Sequence, residues 1–116
     1  VYAYLSSCTP RREIARAFRA LSEDEKRHAR DLAAAIYLIT GKAYCPRGGV
    51  EQPDTCDLCA LLRSLYHAEA CAGYNYARAG EETLDLCLSK LFAAMSADEY
   101  RHAELLMKLL GRKMNV

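Results

Sequence analysis

The chain carries one four-residue pattern twice, Glu-x-x-His at residues 25–28 and again at residues 99–102. Residues three apart share one face of a helix, so each copy presents a carboxylate and an imidazole side by side. The likeness extends beyond the motif, because residues 18–29 and 92–103 are identical at eight of twelve positions with an offset of 74. Two matched half-sites in one chain indicate a pseudo-symmetric pocket with two ligand sets, which suits a dinuclear metal centre.

A further carboxylate, Glu69, lies in a stretch of otherwise small residues. A carboxylate buried among alanines is expected to be paired or bound to a cation. Tyr76 follows seven residues later in a Tyr-x-Tyr pattern, and Tyr4 ends the same pattern at the start of the chain. Aligning Tyr4 with Tyr76 gives an offset of 72. This alignment predicts that the carboxylate matching Glu69 lies four positions before Val1, outside the sequence.

The predicted metal ligands are therefore two histidines and four carboxylates, one of them unseen: Glu25, His28, Glu69, Glu99 and His102. Hard and borderline oxygen and nitrogen donors suit iron or manganese better than zinc or copper.

Residues beside the ligands are expected to support them. Asp24 and Asp98 each directly precede a ligand glutamate. A metal-bound histidine usually donates its second N–H group to a carboxylate, so Asp24 is expected to hold His102 and Asp98 to hold His28 across the two-fold. The rival geometry pairs Asp24 with His28, four residues further along the same helix. The candidate catalytic residues are Tyr4 and Tyr76. Two roles fit them, hydrogen bonds to ligand carboxylates or core packing, and the sequence leaves both open.

The composition predicts an all-α protein, because Ala and Leu dominate and the chain has only three prolines and six glycines. Apolar spacing and turn residues predict a first helix truncated at the chain start and three longer helices. The three connections between these helices are short, long and short in turn. This order indicates two helical hairpins joined by a crossover loop, which form a four-helix bundle. The bundle is expected to be a single domain over residues 1–116. The expected helices cover residues 1–7, 10–40, 55–79 and 81–111, with the loop at 41–55 and with Gly41, Gly80 and Gly111 as stops.

These motifs and this layout resemble the ferritin-like superfamily, and within it the rubrerythrin-type di-iron domains. The resemblance covers almost the whole chain except residues 41–55. It implies a carboxylate-bridged di-iron site that reacts with peroxide or dioxygen. Two features differ from rubrerythrins. Tyr66 and Ala72 stand where these proteins commonly carry an extra carboxylate, and only one Cys-x-x-Cys motif is present where a rubredoxin domain has paired motifs.

Six cysteines form a second group of reactive side chains. Cys56 and Cys59 stand at the start of the third helix, where the helix dipole favours the thiolate. Together with Cys45 they are candidates for a redox or metal-binding thiol site, and free thiols in a reducing cell are the alternative. Cys71 and Cys87 are expected to be small core residues.

The leading functional hypothesis is an oxidoreductase with two iron ions (manganese is possible) that reduces H2O2 or O2 using an external electron donor. The alternatives are a non-cage iron-handling protein that oxidises Fe(II), or a ferritin-like protein-interaction module with an incomplete site. A homodimer in the cytoplasm is expected. Nucleic acid is not an expected partner, because the net charge is only +1. A membrane is not an expected partner either, because no apolar run reaches the roughly 18–20 residues needed to span a bilayer.

Overall fold

The computed structural model describes residues 1–8, 12–43 and 57–114, apart from the side chains of Cys8 and residues 112–114. Within these ranges the secondary structure is entirely helical. The helices are α1 (Tyr2–Cys8), α2 (Arg12–Thr40), α3 (Leu58–Glu82) and α4 (Leu86–Met114). The prediction of an all-α protein with four helices is confirmed. No helix among the described residues is long and apolar enough to cross a membrane.

The chain divides into two compact units, Val1–Pro53 and Asp54–Val116. The first contains α1 packed against α2, and the second contains α3 packed against α4. Each unit is thus one pair of sequential helices, as the predicted hairpins require. The packing of the two units into a single domain stays a prediction.

In the first unit, apolar side chains spaced three or four residues apart on α2 face α1. Ile14, Phe18 and Leu21 of α2 are buried, and so are Tyr2 and Leu5 of α1. The rings of Tyr2 and Phe18 stack with their centroids 6.0 Å apart. At the other end, α2 stops at Thr40 because Gly41 adopts a positive φ of 70°, a conformation that costs glycine little.

In the second unit, a three-residue turn reverses the chain between α3 and α4. The Thr83 N–H group donates to the carbonyl of Ala79 and so ends α3. The Asp85 carboxylate accepts from the N–H group of Leu88 at 3.0 Å, which caps the start of α4. Asp57 caps the start of α3 in the same way by accepting from Ala60. These caps fix the ends of both helices of the hairpin.

Two of the glycines expected to stop helices do not do so. Helix α3 continues through Gly80 to Glu82, and α4 continues through Gly111 to Met114. Gly80 is buried, and a Cβ atom there would lie 3.3 Å from the carbonyl oxygen of Ser89. Its function is therefore close helix packing rather than chain reversal, which explains why the predicted boundary was wrong.

The structure also corrects the register of the internal repeat. Helix α3 ends 74 residues after α1 ends, and α4 begins 74 residues after α2 begins. The stacked pair Tyr76 and Phe92, with centroids 6.2 Å apart, matches the stacked pair Tyr2 and Phe18 at this same offset. Tyr2, not Tyr4, is thus the equivalent of Tyr76, and the predicted two-residue difference between the hairpins was wrong. With this offset, the position matching Glu69 lies six places before Val1 rather than four.

Candidate metal centre

Three of the predicted ligands converge between the helices of the second unit. Glu69 projects from α3, and Glu99 and His102 project from α4. Only 5%, 2% and 4% of these residues are exposed, respectively. Each offers one ligand atom, and these atoms lie within 4.8 Å of one another. We call these three residues the α3–α4 ligand group.

A hydrogen bond between the helices places Glu69 opposite its partners. The Ser96 hydroxyl donates to the carbonyl oxygen of Gly73 at 2.7 Å in a buried position. Ser89 makes the same kind of bond to Gly80, at 2.9 Å. Glycine on α3 lets α4 approach closely enough for these short side chains to reach the backbone. Glu69 lies one helical turn from Gly73, so this pairing brings it level with Glu99 and His102.

The geometry of the group fits a bound metal ion. The Nδ1 atom of His102 lies 3.7 Å from Oε2 of Glu69 and 3.8 Å from Oε2 of Glu99. Both distances exceed the range of a direct hydrogen bond. An ion about 2.1 Å from each of two ligand atoms holds them no more than about 4.2 Å apart, so both separations leave room for an ion between the donors. Two carboxylates and one imidazole also form a donor set that divalent first-row metals accept.

The first unit carries the matching Glu-x-x-His pair on α2. His28 is buried and Glu25 is half-buried, on a helix whose opposite face is charged and exposed. Burial of a carboxylate and an imidazole one turn apart is unusual for a surface pair. The role of Glu25 and His28 as ligands stays a prediction.

The aspartates next to the ligand glutamates each pair with an arginine on their own helix. Asp24 lies 3.3 Å from Arg27, and Asp98 is ion-paired with Arg101. Both arginines are largely exposed, whereas Asp98 is mostly buried. The arginines were not among the predicted site residues, although both belong to the twelve-residue repeat. Support of the opposite histidine by each aspartate stays a prediction.

The two candidate catalytic tyrosines have different surroundings. Tyr76 is half-buried and stacks on Phe92. Tyr4 is at the exposed edge of α1, while Tyr2 takes the buried place equivalent to Tyr76. The stacked rings show that Tyr76 and Tyr2 contribute to helix packing, and hydrogen bonds from Tyr4 and Tyr76 to ligand carboxylates stay a prediction.

Comparisons with known proteins add one relative. The chain is similar to the uncharacterized protein YhjR of Bacillus subtilis (strain 168), with 29% identity over 102 residues that cover 88% of this chain and 69% of that protein. No family model matches the chain. No solved structure matches it either.

The predicted thiol site falls mainly outside the described residues, because Cys45 and Cys56 lie in the range 44–56. Cys59 is half-buried in the first turn of α3 and is a free thiol. Cys71 and Cys87 are both exposed free thiols, so their prediction as core residues was wrong. Cys71 is two residues from Glu69, and positions two apart point to different faces of a helix.

The remaining ionisable contacts on α3 belong to its surface. Arg78 donates to Glu82 at 2.9 Å, and its guanidinium lies 6.0 Å from the centre of the Tyr74 ring. The hydrogen bond to Glu82 raises the pKa of Arg78. His67 is exposed and packs edge-on against Tyr66, as expected for a histidine that is not a ligand. These residues do not contribute to the candidate metal centre.

Proposed function

We propose that this protein is a di-iron carboxylate oxidoreductase that reduces peroxide or dioxygen and receives electrons from an external donor. The observation that carries the proposal is the α3–α4 ligand group, in which two carboxylates and an imidazole converge at a buried position. Burying ionisable groups is costly unless they are paired or bind a metal. A cation at this position would offset the repulsion between the two carboxylates, which no apolar contact can do.

The internal repeat supports a dinuclear centre over a mononuclear one. Each repeat supplies its own Glu-x-x-His pair, Glu25 with His28 and Glu99 with His102. Both histidines are buried. Two equivalent pairs imply two equivalent ions, with Glu69 as a further carboxylate ligand.

Two bound iron ions would supply one electron each, and these two electrons with two protons would reduce H2O2 to two water molecules, after which the external donor would return the electrons. The chain's own groups bind and orient the metal and restrict solvent. Glu99 and His102 hold fixed positions because they lie one turn apart on a helix that the Ser96 bond ties to α3. Exclusion of water strengthens every electrostatic interaction inside the site.

The first test measures metal binding by the full-length protein. Anaerobic reconstitution with Fe(II), followed by removal of loose iron and elemental analysis, should give about two irons per chain. Mn(II) titration followed by electron paramagnetic resonance gives an independent count, because coupled and isolated Mn(II) ions have different spectra. A protein that keeps neither metal would refute the proposal.

The second test separates the oxidoreductase from an iron-handling protein. The reduced di-iron protein is mixed with H2O2 or with O2, and absorbance in the near ultraviolet follows oxidation. Fast oxidation that is restored by a chemical reductant over repeated cycles, with no loss of iron, supports the oxidoreductase. Oxidation that depends on added Fe(II) and accumulates ferric product supports iron handling. A chain that folds normally but binds no metal fits the interaction module.

A further inference from the structure

A groove between α3 and α4 is independent of the ligand group. It has a volume of about 440 Å³ and lies within the second unit. Its lining includes Tyr66, Ala70, Tyr100, Arg101, Glu104 and Met107. Large apolar side chains border it without being covered, since Tyr100 is 46% exposed and Met107 is 52% exposed. Uncovered aromatic and methionine side chains around a concave surface are typical of protein interfaces. We call this surface the α3–α4 groove.

From this arrangement we propose that the α3–α4 groove is a homodimer interface in which α4 packs antiparallel against α4 of a second copy. A two-fold interface must be self-complementary, so each contact between two different residues occurs twice. Tyr100 and Met107 are seven residues apart, and Arg101 and Glu104 are three apart. Both pairs are centred near Ala103. One two-fold axis there would place Tyr100 against Met107 of the partner subunit and Arg101 within reach of Glu104 of the partner subunit.

The chemistry of both pairs suits this contact. Methionine sulfur packs favourably at the edge of an aromatic ring. Arg101 and Glu104 have opposite charges, and Glu104 makes no ion pair within the described part of its own chain. Arg101 contacts Asp98 through one nitrogen, and a guanidinium has five N–H donors, so it can bind a second carboxylate.

Two further features favour a second copy over an unrelated partner. The net charge of the chain is only +1, so long-range repulsion between copies is weak. The charged pair contains one residue of each sign, whereas a surface for a strongly acidic or basic partner carries one sign. Gly73 leaves room for the Tyr100 ring against α3, because a Cβ atom at this position would lie only 3.1 Å from the ring.

Charge reversal tests the pairing. Sedimentation velocity between about 1 and 500 µM covers the range of weak to moderate dimers and gives the dissociation constant. We expect Arg101→Glu and Glu104→Arg each to weaken the dimer by about tenfold or more, because each change creates two like-charge contacts across the axis. The combined variant Arg101→Glu/Glu104→Arg should recover most of the affinity. Arg101→Glu also removes the contact with Asp98, and the combined variant shares this loss, so recovery isolates the intermolecular pair.

The matched control is Lys90→Glu, the same charge change at an exposed position of α4 outside the groove lining. It should leave the dissociation constant within about twofold of the original. Met107→Ser tests the apolar contact and should weaken the dimer without altering net charge. Circular dichroism confirms that every variant keeps its helix content. The proposal is overturned if the protein is monomeric throughout the range, if the reversals act no more strongly than Lys90→Glu, or if the combined variant fails to recover.

Discussion

Replacing Glu99 with glutamine should raise the stability of the metal-free protein and reduce the stabilisation that bound metal gives. Glutamine has nearly the same shape as glutamate but has no charge. Glu99 is among the most buried residues described, and its neighbours in the ligand group are Glu69 and His102. The substitution therefore removes one negative charge from a closely spaced cluster while leaving the packing of α3 against α4 largely intact.

The expected size follows from the spacing of the carboxylates. The ligand atoms of Glu69 and Glu99 lie no more than 4.8 Å apart. At an effective dielectric constant of about 20, two like charges at this distance repel by roughly 3–4 kcal/mol. Relaxation of the surrounding side chains relieves part of this repulsion. We expect Glu99→Gln to raise the free energy of unfolding of the metal-free protein by about 1–3 kcal/mol.

Bound metal should stabilise the original protein more than it stabilises the Glu99→Gln variant. A ligand at 100 times its dissociation constant stabilises the folded state by about 2.7 kcal/mol. If the variant binds the metal 100-fold more weakly, the same metal concentration stabilises it by only about 0.4 kcal/mol. The original protein should therefore gain about 2 kcal/mol more from metal than Glu99→Gln does. This gain cancels or reverses the advantage that the variant has without metal.

The assay is urea unfolding followed by helical circular dichroism, with Mn(II) and with a chelator. The control is Glu81→Gln, the same substitution at an exposed position of α3 outside the α3–α4 groove. It should leave both unfolding free energies within about 0.5 kcal/mol of the original. A Glu99→Gln protein that is less stable than the original without metal would show that Glu99 serves as a structural hydrogen-bond acceptor. An equal metal response in both proteins would refute its role as a ligand.

Four other substitutions test the helix packing and the surroundings of the ligands. Gly80→Ala should destabilise the protein by about 1–2 kcal/mol, because its Cβ would press against a backbone carbonyl of α4. Gly111 has open space around it, so Gly111→Ala should stabilise the protein by about 0.5–1 kcal/mol. Urea unfolding measures both changes. Ser96→Ala should cost about 1–2 kcal/mol in the same assay, since it leaves a buried carbonyl without its 2.7 Å donor, and an unchanged stability would contradict this. If Asp24 orients a metal-bound histidine, Asp24→Ala should weaken metal binding roughly 10–100-fold. Competition with a metal indicator measures this affinity. An unchanged affinity would show that Asp24 does not support a ligand and acts through contacts such as its ion pair with Arg27.

The helices and the convergence of one ligand group could be predicted from the sequence because both depend on local periodicity. Glu99 and His102 share a helix face at any register, and the apolar stretch around Glu69 predicts burial without knowledge of its neighbours. The structure confirms that all three are buried and close together. These features needed only helix geometry and the cost of burying charge.

Two of the failed predictions depended on which elements lie next to each other. Gly80 resembles a helix stop in the sequence, but close approach of α4 is what requires a residue without a side chain there. Tyr4 and Tyr76 align by their Tyr-x-Tyr patterns, whereas the stacking on Phe92 and its equivalent identifies Tyr2 as the true match. Pattern matching cannot distinguish two tyrosines that are two residues apart, and a ring contact can.

Close helix packing and the candidate metal centre are physically linked in the second unit. The hydrogen bond from Ser96 to the Gly73 carbonyl needs a short distance between α3 and α4, and this short distance also brings Glu69 within reach of His102. The packing therefore creates the electrostatic repulsion that a cation would offset. Ser22, at the position matching Ser96 in the repeat, is also buried, with only 7% exposure. The repeat therefore places a buried serine three residues before Glu25 as well as three residues before Glu99.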